Sequence, residues 1–347
     1  MKILITGGAG FLGLHLAKFL NKKGWDITLL DIADFDKREY PSKCILIKGD
    51  IRNKRLIDKV SQEMDIVIHA AAALPLWRAK EIFEINIKGT RNLLQAAVKN
   101  KVKRFVFISS TAVYGVPKRH PIFEDDPLLG VGAYGESKIQ AEKLCEDYRK
   151  RGLSVTIIRP KTFVGTHRLG VFEILFDWIK DGKRIPVIGS GNNRYQLLDV
   201  ADLVEAIYLL LIEKNSKKIN QTFNLGAEKF KTVKEDLQEL FNYASSGSKI
   251  LPTPAFLVKK ALWLFEKLKL SPLYQWVYDT ADKDSFVSIN RLSETLHWQP
   301  KFSNSQALIK AYQWYLDNYE EIKSHPAGIT HRAGWKQGIL GWFKKFL

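Results

Sequence analysis

Tyr134 and Lys138 are the two side chains whose types and spacing most directly suggest chemistry in this sequence. They form a Y-x-x-x-K pattern, and on a helix that spacing places both side chains on one face. A neighbouring ammonium favours the phenolate and lowers the pKa of a tyrosine, which would let Tyr134 act as an acid or base near neutral pH. Upstream, Ser110 and Thr111 end an apolar run, where a hydroxyl could hold a substrate oxygen beside the tyrosine.

A glycine-rich turn follows the first apolar run of the chain. Residues 6–13 are TGGAGFLG, and Gly7, Gly10 and Gly13 give the spacing G-x-x-G-x-x-G. Between a strand and a helix, such a turn lets the backbone approach a pyrophosphate, and the helix N-terminus supplies free N–H groups. We therefore expect a dinucleotide site, the alternative being a tight turn without a ligand.

Asp31 lies where a side chain can discriminate between NAD and NADP. It ends the second apolar run, 18 residues after Gly13. A carboxylate there can accept hydrogen bonds from the adenosine ribose and repels a 2′-phosphate, which favours NAD. Lys37 and Arg38 lie close by in sequence and keep NADP open as the alternative.

Two further segments follow predicted strands. Asp50 and Ile51 could bind and cover an adenine, or Asp50 could be a turn residue. His69 precedes three alanines, small residues that would let the backbone approach a cofactor. We expect His69 to be a packed histidine without a catalytic role.

Short apolar runs alternate with helical patterns through the first half of the chain, which predicts an α/β fold with a Rossmann-type doubly wound parallel sheet. The predicted strands are Lys2–Thr6, Asp26–Leu30, Cys44–Ile47, Asp65–Ile68, Arg104–Ile108 and Ser154–Ile158. The predicted helices are near 11–23, 53–62, 81–99 and 134–150.

The chain divides into three predicted parts. Residues 1–160 form the dinucleotide-binding core, and 161–322 form a smaller C-terminal substrate-binding region. Within that region, Val200–Glu213 and Gln221–Leu225 are expected to return to the core as a helix and a strand. Residues 323–347 are a basic amphipathic tail.

The charge of +17 over 347 residues would suit nucleic acid, an anionic membrane or a phosphorylated substrate. No nucleic-acid module accompanies it, so we expect no nucleic-acid partner. Two cysteines are too few for a disulfide framework or a metal cluster, and we expect no metal. No run reaches the roughly 20 apolar residues of a transmembrane helix. A cytoplasmic location follows, with peripheral membrane contact left open.

Two amphipathic segments bear on that contact. Residues 255–270 and 325–347 combine large apolar residues with lysines, as interfacial helices do on anionic lipid. Both could instead pack on the body of the protein. We expect 255–270 to cover the substrate pocket. In the tail, the apolar positions at helical spacing are Trp335, Ile339, Trp342, Phe343 and Phe346.

These motifs together resemble the extended short-chain dehydrogenase/reductase family, which includes NAD-dependent epimerases and dehydratases and enzymes similar to 3β-hydroxysteroid dehydrogenases. The resemblance covers roughly residues 1–320. Its motifs are TGGAGFLG at 6–13, Asp31, GDI at 49–51, HAAA at 69–72, NIKGT at 86–90, SSTAVYG at 109–115, YGESK at 134–138 and Arg159-Pro160. LHWQP at 296–300 resembles the family's LGWxP element, with His297 in place of glycine.

The resemblance implies a role for each motif. Tyr134 would be the acid/base, Lys138 would lower its pKa and bind the nicotinamide ribose, and Ser110 would orient the substrate oxygen with Thr111 as the adjacent alternate. The implied cofactor contacts are Gly7, Gly10, Phe11, Leu12 and Gly13 for the pyrophosphate, Asp31 for the ribose, Asp50 and Ile51 for the adenine, and Ala70, Ala71 and Asn86 for the nicotinamide half.

The sequence departs from the family at substrate positions. Thr162 stands where many sugar-nucleotide enzymes of the family have an asparagine, and Arg194 is displaced by one residue from a phosphate-binding arginine. Thr111 and Ala112 replace the Asp-Glu pair with which dehydratases of the family eliminate water. We expect hydride transfer at a secondary alcohol or ketone of a nucleotide sugar. A lipid-like alcohol at a membrane surface is the alternative, and a non-catalytic NAD sensor a remote one. By family analogy, the helices near 81–99 and 134–150 would form a homodimer.

Overall fold

The computed structural model describes residues 1–75, 77–268 and 275–324, together with 327–328, 334–335, 341 and 344. Its centre is a parallel sheet of seven strands in the order β10-β6-β5-β4-β1-β2-β3. The strands of this sheet are β1 Lys2–Thr6, β2 Asp26–Asp31, β3 Ile45–Lys48, β4 Ile66–His69, β5 Arg104–Ile108, β6 Val155–Pro160 and β10 Thr222–Leu225. The doubly wound sheet predicted from the alternating pattern is confirmed.

Helices cover both faces of this sheet, which is why its strands are apolar along their whole length. On one face α1 (Phe11–Lys22) and α7 (Val200–Ile212) pack against the sheet through residues such as Leu14 and Leu203. The other face is covered by α2 (Lys54–Val60), α3 (Ala79–Phe83), α4 (Thr90–Lys99) and α5 (Gly132–Lys150). The order of the sheet reverses between β1 and β4, where doubly wound sheets bind their ligands at the carboxyl ends of the strands.

The second half of the chain builds a separate apolar cluster beside the sheet. This cluster joins helices α6 (Phe172–Lys180), α9 (Val233–Ala244) and α13 (Asn304–Asp317), with Phe176, Leu240 and Tyr312 in its centre. The remaining strands are β7 Phe163–Val164, β8 Arg184–Ile188, β9 Leu198–Asp199 and β11 Lys249–Thr253. The remaining helices are α6 Phe172–Lys180, α8 Ser216–Ile219, α9 Val233–Ala244, α10 Ala255–Lys267, α11 Gln275–Thr280, α12 Asn290–Leu296, α13 Asn304–Asp317 and α14 Tyr319–Ser324.

One predicted helix differs from the structure, and the LHWQP segment has an unusual backbone conformation. The helix predicted over 81–99 is divided by a π-helical turn at Glu84–Gly89, which lies between α3 and α4. His297 ends α12 with a φ of 53°, a left-handed conformation that explains why the related LGWxP element carries glycine at this place. Trp298, the next residue, is buried.

Most of the predicted tail, 323–347, lies outside the described residues. In its described part, Gly334–Trp335 is a short strand paired with Ala327–Gly328, so the helical spacing predicted to begin at Trp335 is wrong there. Lys323 is 2.9 Å from the carboxylate of Asp177, and Lys344 is 2.6 Å from that of Asp181. No helix among the described residues is both long and apolar enough to cross a membrane.

Candidate active site

The glycine turn between β1 and α1 has no room for side chains. Gly7 has a φ of 73°, and a Cβ on it would lie 2.7 Å from the backbone nitrogen of Ala71. A Cβ on Gly13 would lie 2.3 Å from the carbonyl oxygen of Gly7. The N-cap of α1 is Gly10, which has no side chain to cap the first N–H groups. Those N–H groups remain available to an anion at the helix N-terminus.

A cleft opens above this turn along the carboxyl ends of β1 to β5. Its lining contains the predicted cofactor residues Gly7, Gly10, Phe11, Leu12, Gly13, Asp31, Asp50, Ile51, Ala70 and Ala71, and also Tyr134 and Lys138. The structure therefore brings the glycine turn and the Y-x-x-x-K pair together in one cleft. Ser109 and Phe163 line it as well, and neither was predicted from the sequence.

Asp31 lies at the end of β2 with both carboxylate oxygens engaged by the backbone. One accepts a hydrogen bond from the backbone N–H of Ala9 (3.0 Å), and the other from that of Ala33 (2.9 Å). These bonds aim the carboxylate across the mouth of the glycine turn, the place predicted for a ribose.

Asp50 is held by a neighbour in the chain. The backbone N–H of Arg52 donates to it at 2.7 Å, and the Arg52 guanidinium donates at 2.6 Å. Desolvation opposes ionisation, but the hydrogen bonds with Arg52 outweigh it and lower the pKa of Asp50. The carboxylate is therefore ionised and directed partly towards Arg52, and Ile51 beside it supplies the apolar floor of this end of the cleft.

Tyr134 and Lys138 line the cleft at the end of β5, whereas the predicted Ser110 is not among the residues that line it. Ser110 lies near enough to Tyr134 to lower the pKa of the tyrosine. The Lys138 ammonium lies 5.9 Å from the centre of the Tyr134 ring and donates to the carbonyl oxygen of Ile108 at 2.8 Å. That carbonyl belongs to the last residue of β5. The end of the strand therefore fixes Lys138 at the start of the segment that carries Ser110.

The pKa values of the pair differ from the sequence expectation. Burial raises the pKa of Tyr134 to about 12, and the nearby Ser110 offsets only part of this effect. Burial also lowers the pKa of Lys138 to about 8, with Glu142 acting in the opposite direction. In the protein alone, desolvation outweighs the attraction between ammonium and phenolate, so Tyr134 keeps its proton at neutral pH.

A buried ion pair stands behind these residues. Glu142, one turn beyond Lys138 on α5, is 2.6 Å from Arg159 of β6, and the two side chains are only 1% and 3% exposed. Ser109 donates to the Glu142 carboxylate at 2.5 Å, and Arg159 donates to the hydroxyl of Tyr114 at 2.7 Å. The pair thus ties α5 and β6 to the segment that carries Ser110. Sequence analysis noticed Arg159 only as part of a motif and missed Glu142.

Asn86 lies behind the cleft wall rather than on its surface. Its amide oxygen accepts from the backbone N–H of Ala73 at 2.9 Å, and its amide nitrogen donates to the hydroxyl of Ser137 at 2.9 Å. The residue belongs to the π-helical turn, which pushes it towards α5. Asn86 therefore positions the cleft wall against the helix that carries Tyr134. Its contact with the nicotinamide half of the cofactor stays a prediction.

His69 is a packed histidine, as expected. Burial lowers its pKa to about 3. Its ring nitrogens lie 2.8 Å from the hydroxyl of Thr6 and 2.9 Å from that of Thr90. Since Thr90 donates its proton to the carbonyl of Asn86, the neutral ring donates to Thr90 and accepts from Thr6.

Of the predicted substrate residues, Thr111 lies next to Ser110, whereas Thr162 and Arg194 belong to the second half of the chain. Thr111 follows Ser110 and is buried, with no hydrogen-bond partner for its hydroxyl among the described residues. Thr162 lies near Tyr195 and lowers the pKa of its hydroxyl, against the larger effect of burial. The guanidinium of Arg194 lies 4.7 Å from the ring centres of both Phe230 and Phe286.

Residues 3–226 match the NAD dependent epimerase/dehydratase family. The chain belongs to this family. It is 31% identical over 337 residues to a UDP-N-acetyl-alpha-D-glucosaminuronate decarboxylase of Bacillus cytotoxicus, an alignment that covers 91% of this chain and 98% of the relative. It is 29% identical over 360 residues to a UDP-glucose 4-epimerase of Lactobacillus helveticus, with 96% and 100% covered. A crystal structure of UDP-glucuronic acid 4-epimerase from Bacillus cereus in complex with NAD is similar with a TM-score of 0.77 and 24% identity, covering 92% and 100% of the chains.

NAD is the cofactor of this epimerase/dehydratase family member, and the cleft fits it. The turn at Gly7 and Gly13 excludes any side chain from the path of a pyrophosphate. The uncapped N-terminus of α1 offers N–H groups to the phosphates. The Asp31 carboxylate stands beside this turn, where a ribose hydroxyl can donate to it and a 2′-phosphate would be repelled.

Lys161 is a buried cation that sequence analysis did not single out. It is 1% exposed, donates to the hydroxyl of Ser285 at 2.7 Å and lies 4.7 Å from the centre of the Tyr195 ring. Burial lowers its pKa to about 7. A lysine directly after Arg159-Pro160 gives no sign in the sequence that it will be enclosed.

We expect Lys161→Met to increase the free energy of unfolding at pH 7 by on the order of 1–4 kcal/mol, because the wild-type ammonium must be desolvated or neutralised on folding. In the folded protein this pKa of about 7 lies below the ordinary lysine value of 10.5, which applies to the unfolded chain. The destabilisation of the wild type by the buried Lys161 ammonium is therefore full below pH 7. It decreases as the pH rises from 7 and is gone above the unfolded pKa of 10.5. Guanidinium denaturation at several pH values measures the difference.

The exposed neighbour Lys283 supplies the control for this experiment. Lys283→Met should change the free energy of unfolding by less than about 0.5 kcal/mol at every pH. A Lys161→Met protein that is less stable than wild type at pH 7 would contradict the prediction, as would a gain independent of pH.

Proposed function

We propose that the protein interconverts a secondary alcohol and its ketone on a nucleoside-diphosphate sugar, as the oxidative half of an epimerisation. The observation that carries this proposal is the position of Tyr134 and Lys138 in the same cleft as the glycine turn, with Ser110 near the tyrosine. A hydroxyl or carbonyl oxygen of a substrate can take a place between Ser110 and Tyr134.

The proposed roles follow from protonation states. Ser110 holds the substrate oxygen, and Tyr134 removes the hydroxyl proton during oxidation and returns it during reduction. Lys138, fixed by the carbonyl of Ile108, stabilises the phenolate while it exists. NAD, when bound, accepts the hydride from the carbinol carbon and gives it back. Inversion requires the ketone to present its opposite face before the hydride returns.

The positions of the carboxylates in the cleft favour epimerisation over water elimination. Those that line the cleft in the described part of the chain are Asp31 and Asp50, both on the β2–β3 side. At the reacting end, Ser110 is followed by Thr111 and Ala112, and Glu142 is tied to Arg159. Dehydratases of the family eliminate water with an Asp-Glu pair, and the described residues at this end of the cleft contain no such pair.

The nucleotide-sugar substrate is supported by cationic side chains and by the relatives, which act on UDP-linked sugars according to their names. Two phenyl rings hold the guanidinium of Arg194, which reduces the entropy lost when it binds a phosphate. We propose Arg194 as a contact of the diphosphate and Thr162 as a contact of the sugar-nucleotide. This evidence favours a nucleotide sugar over a lipid-like alcohol.

The test is an incubation of the purified protein with NAD and a panel of UDP- and dTDP-sugars, followed by chromatography and NMR of the products. We expect an epimer of one UDP-sugar to accumulate to equilibrium without net NADH formation. Stoichiometric NADH would indicate a simple dehydrogenase, and a 4-keto-6-deoxy sugar would indicate a dehydratase. Either product would overturn the proposal.

Three predictions from the sequence accompany this proposal: a cytoplasmic location, membrane contact through 325–347, and homodimerisation through the helices near 81–99 and 134–150. In the described part of the tail, the cations of Lys323 and Lys344 are paired with carboxylates of the α6 region.

A further inference from the structure

Helix α10 presents an apolar face to solvent although the molecule has large cores in which to bury such residues. Its exposed apolar side chains recur mainly four, seven and eight residues apart, spacings that place them on one face of the helix. They are Phe256 (66% exposed), Leu257 (62%), Trp263 (48%), Leu264 (50%) and Leu268 (57%). Of the residues of α10, only Leu262 is buried. We call this surface the α10 face.

Lysines share the α10 face with these apolar side chains. The ammonium of Lys260 lies 4.3 Å from the centre of the Phe256 ring, and that of Lys267 lies 3.8 Å from the centre of the Trp263 ring. The acid of the helix, Glu266, accepts a hydrogen bond from the hydroxyl of Tyr278 at 2.6 Å. The α10 face therefore combines apolar groups with positive charge, while the negative charge of the helix is engaged by α11.

The helix is attached firmly to the body by its other side. Lys259 forms an ion pair with Asp282 at 2.5 Å, and α11 is held in turn by Trp276, whose indole N–H donates to the carbonyl of Gly115 at 3.3 Å. The face is thus displayed by a helix that is fixed in place. The sequence leaves two positions open for 255–270, an interfacial helix and a cover over the substrate pocket, and favours the second. The exposed apolar side chains favour the first.

We propose that the α10 face docks onto an anionic lipid surface. Trp263 and Phe256 suit the interfacial region of a bilayer, and the lysines beside them can reach phosphate groups while their stems lie on apolar surface. A net charge of +17 adds attraction to such a surface. A second copy of the chain is a poorer occupant, since a two-fold pairing of this face would bring Lys260 and Lys267 against like charges without a carboxylate to pair them.

Docking through α10 would orient the catalytic cleft. Gly115, which holds Trp276 of α11, follows the segment Ser110–Tyr114 at the reacting end of the cleft. Helices α10 and α11 therefore connect the proposed lipid contact to that end of the cleft. This inference goes beyond the proposed function and does not depend on it.

The test is flotation of the full-length protein with two kinds of vesicle, phosphatidylcholine alone and phosphatidylcholine mixed with phosphatidylglycerol. We expect the wild type to float only with the mixed vesicles, and less so as salt is added. Leu264→Glu should reduce the bound fraction by about tenfold, because it places a carboxylate in the contact with anionic lipid. Its melting temperature and its turnover of a free nucleotide sugar should stay at wild-type values.

Ile45→Glu is the matched control, because it adds the same charge at an apolar residue that is 60% exposed on edge strand β3. It should float as the wild type does. A wild-type protein that does not float with anionic vesicles overturns the proposal. So does equal flotation of Leu264→Glu and Ile45→Glu, which would assign lipid binding to another surface such as the tail. An oligomer that Leu264→Glu dissociates, without vesicle binding, would assign the face to a second copy.

Discussion

Replacement of Tyr134 by phenylalanine is expected to reduce turnover by about 10²–10⁴-fold or more, the usual contribution of a positioned acid or base. The substitution removes one hydroxyl group and leaves the ring in place beside Lys138. Binding of NAD should remain close to the wild-type value, because the glycine turn and Asp31 are untouched. Steady-state kinetics and calorimetry with NAD measure the two quantities separately.

Tyr148 offers a control on the same helix, α5, where its ring packs against Arg151. Tyr148→Phe should retain wild-type turnover. If Tyr134→Phe still turned over substrate at the wild-type rate, another group would have to carry the proton and the assignment would fail. If NAD binding were lost as well, the loss of activity would report a damaged cleft rather than a missing proton carrier.

The protonation state of Tyr134 determines which direction of the reaction the side chain is ready to catalyse. With a pKa near 12 in the protein alone, the side chain carries its proton at neutral pH and is ready to act as the acid that reduction of a ketone requires. Oxidation of an alcohol needs the phenolate, so the pKa must fall when cofactor and substrate fill the cleft. The lysine that can stabilise the phenolate has a pKa of about 8 and is mainly protonated at neutral pH.

The central sheet could be predicted from the sequence because both of its faces are covered. Each buried strand is a continuous apolar run, and two predicted strands, Lys2–Thr6 and Arg104–Ile108, have the observed bounds. The cleft residues could be predicted for a related reason. The carboxyl ends of neighbouring parallel strands meet at one edge, so glycine, aspartate and serine residues that follow these strands lie together.

Other features depend on contacts that a linear pattern does not contain. The π-helical turn at Glu84–Gly89 keeps a helical distribution of apolar residues, and only packing decides its hydrogen bonds. Asn86 moves behind the cleft wall as a result. The pKa of Tyr134 depends on how deeply its hydroxyl is enclosed, which outweighs the effect of the Lys138 spacing. The amphipathic pattern of 255–270 shows that the helix has two faces, but not which face meets the protein.

The buried pair of Glu142 and Arg159 should have the largest effect on stability. Arg159→Met alone is expected to decrease the free energy of unfolding by about 3–5 kcal/mol, because it leaves the Glu142 carboxylate buried without its cation. Glu142→Leu should have a similar cost for the opposite reason. Guanidinium denaturation of each variant at pH 7 measures these changes.

The double variant Glu142→Leu/Arg159→Met separates the charge effect from the packing effect. With neither charge present nothing has to be desolvated, and we expect stability within about 1–2 kcal/mol of wild type, far better than either single variant. Arg151→Met, at the exposed end of α5, is the control and should change stability by less than about 0.5 kcal/mol. If the double variant were as unstable as the sum of the single variants, packing and not charge pairing would be what the pair supplies.

The turnover of the same double variant should show whether the pair only stabilises the fold or also positions Ser110 and Lys138. Ser109 donates to Glu142, and Glu142 also raises the pKa of Lys138. Loss of both contacts releases the segment that carries Ser110 and lowers the pKa of Lys138 further, so fewer molecules carry the ammonium at neutral pH. The double variant should therefore fold well, bind NAD and yet turn over slowly, with its decline at alkaline pH moved to lower pH than in the wild type. A stable double variant with wild-type turnover and an unchanged pH profile would show that the pair serves the fold alone.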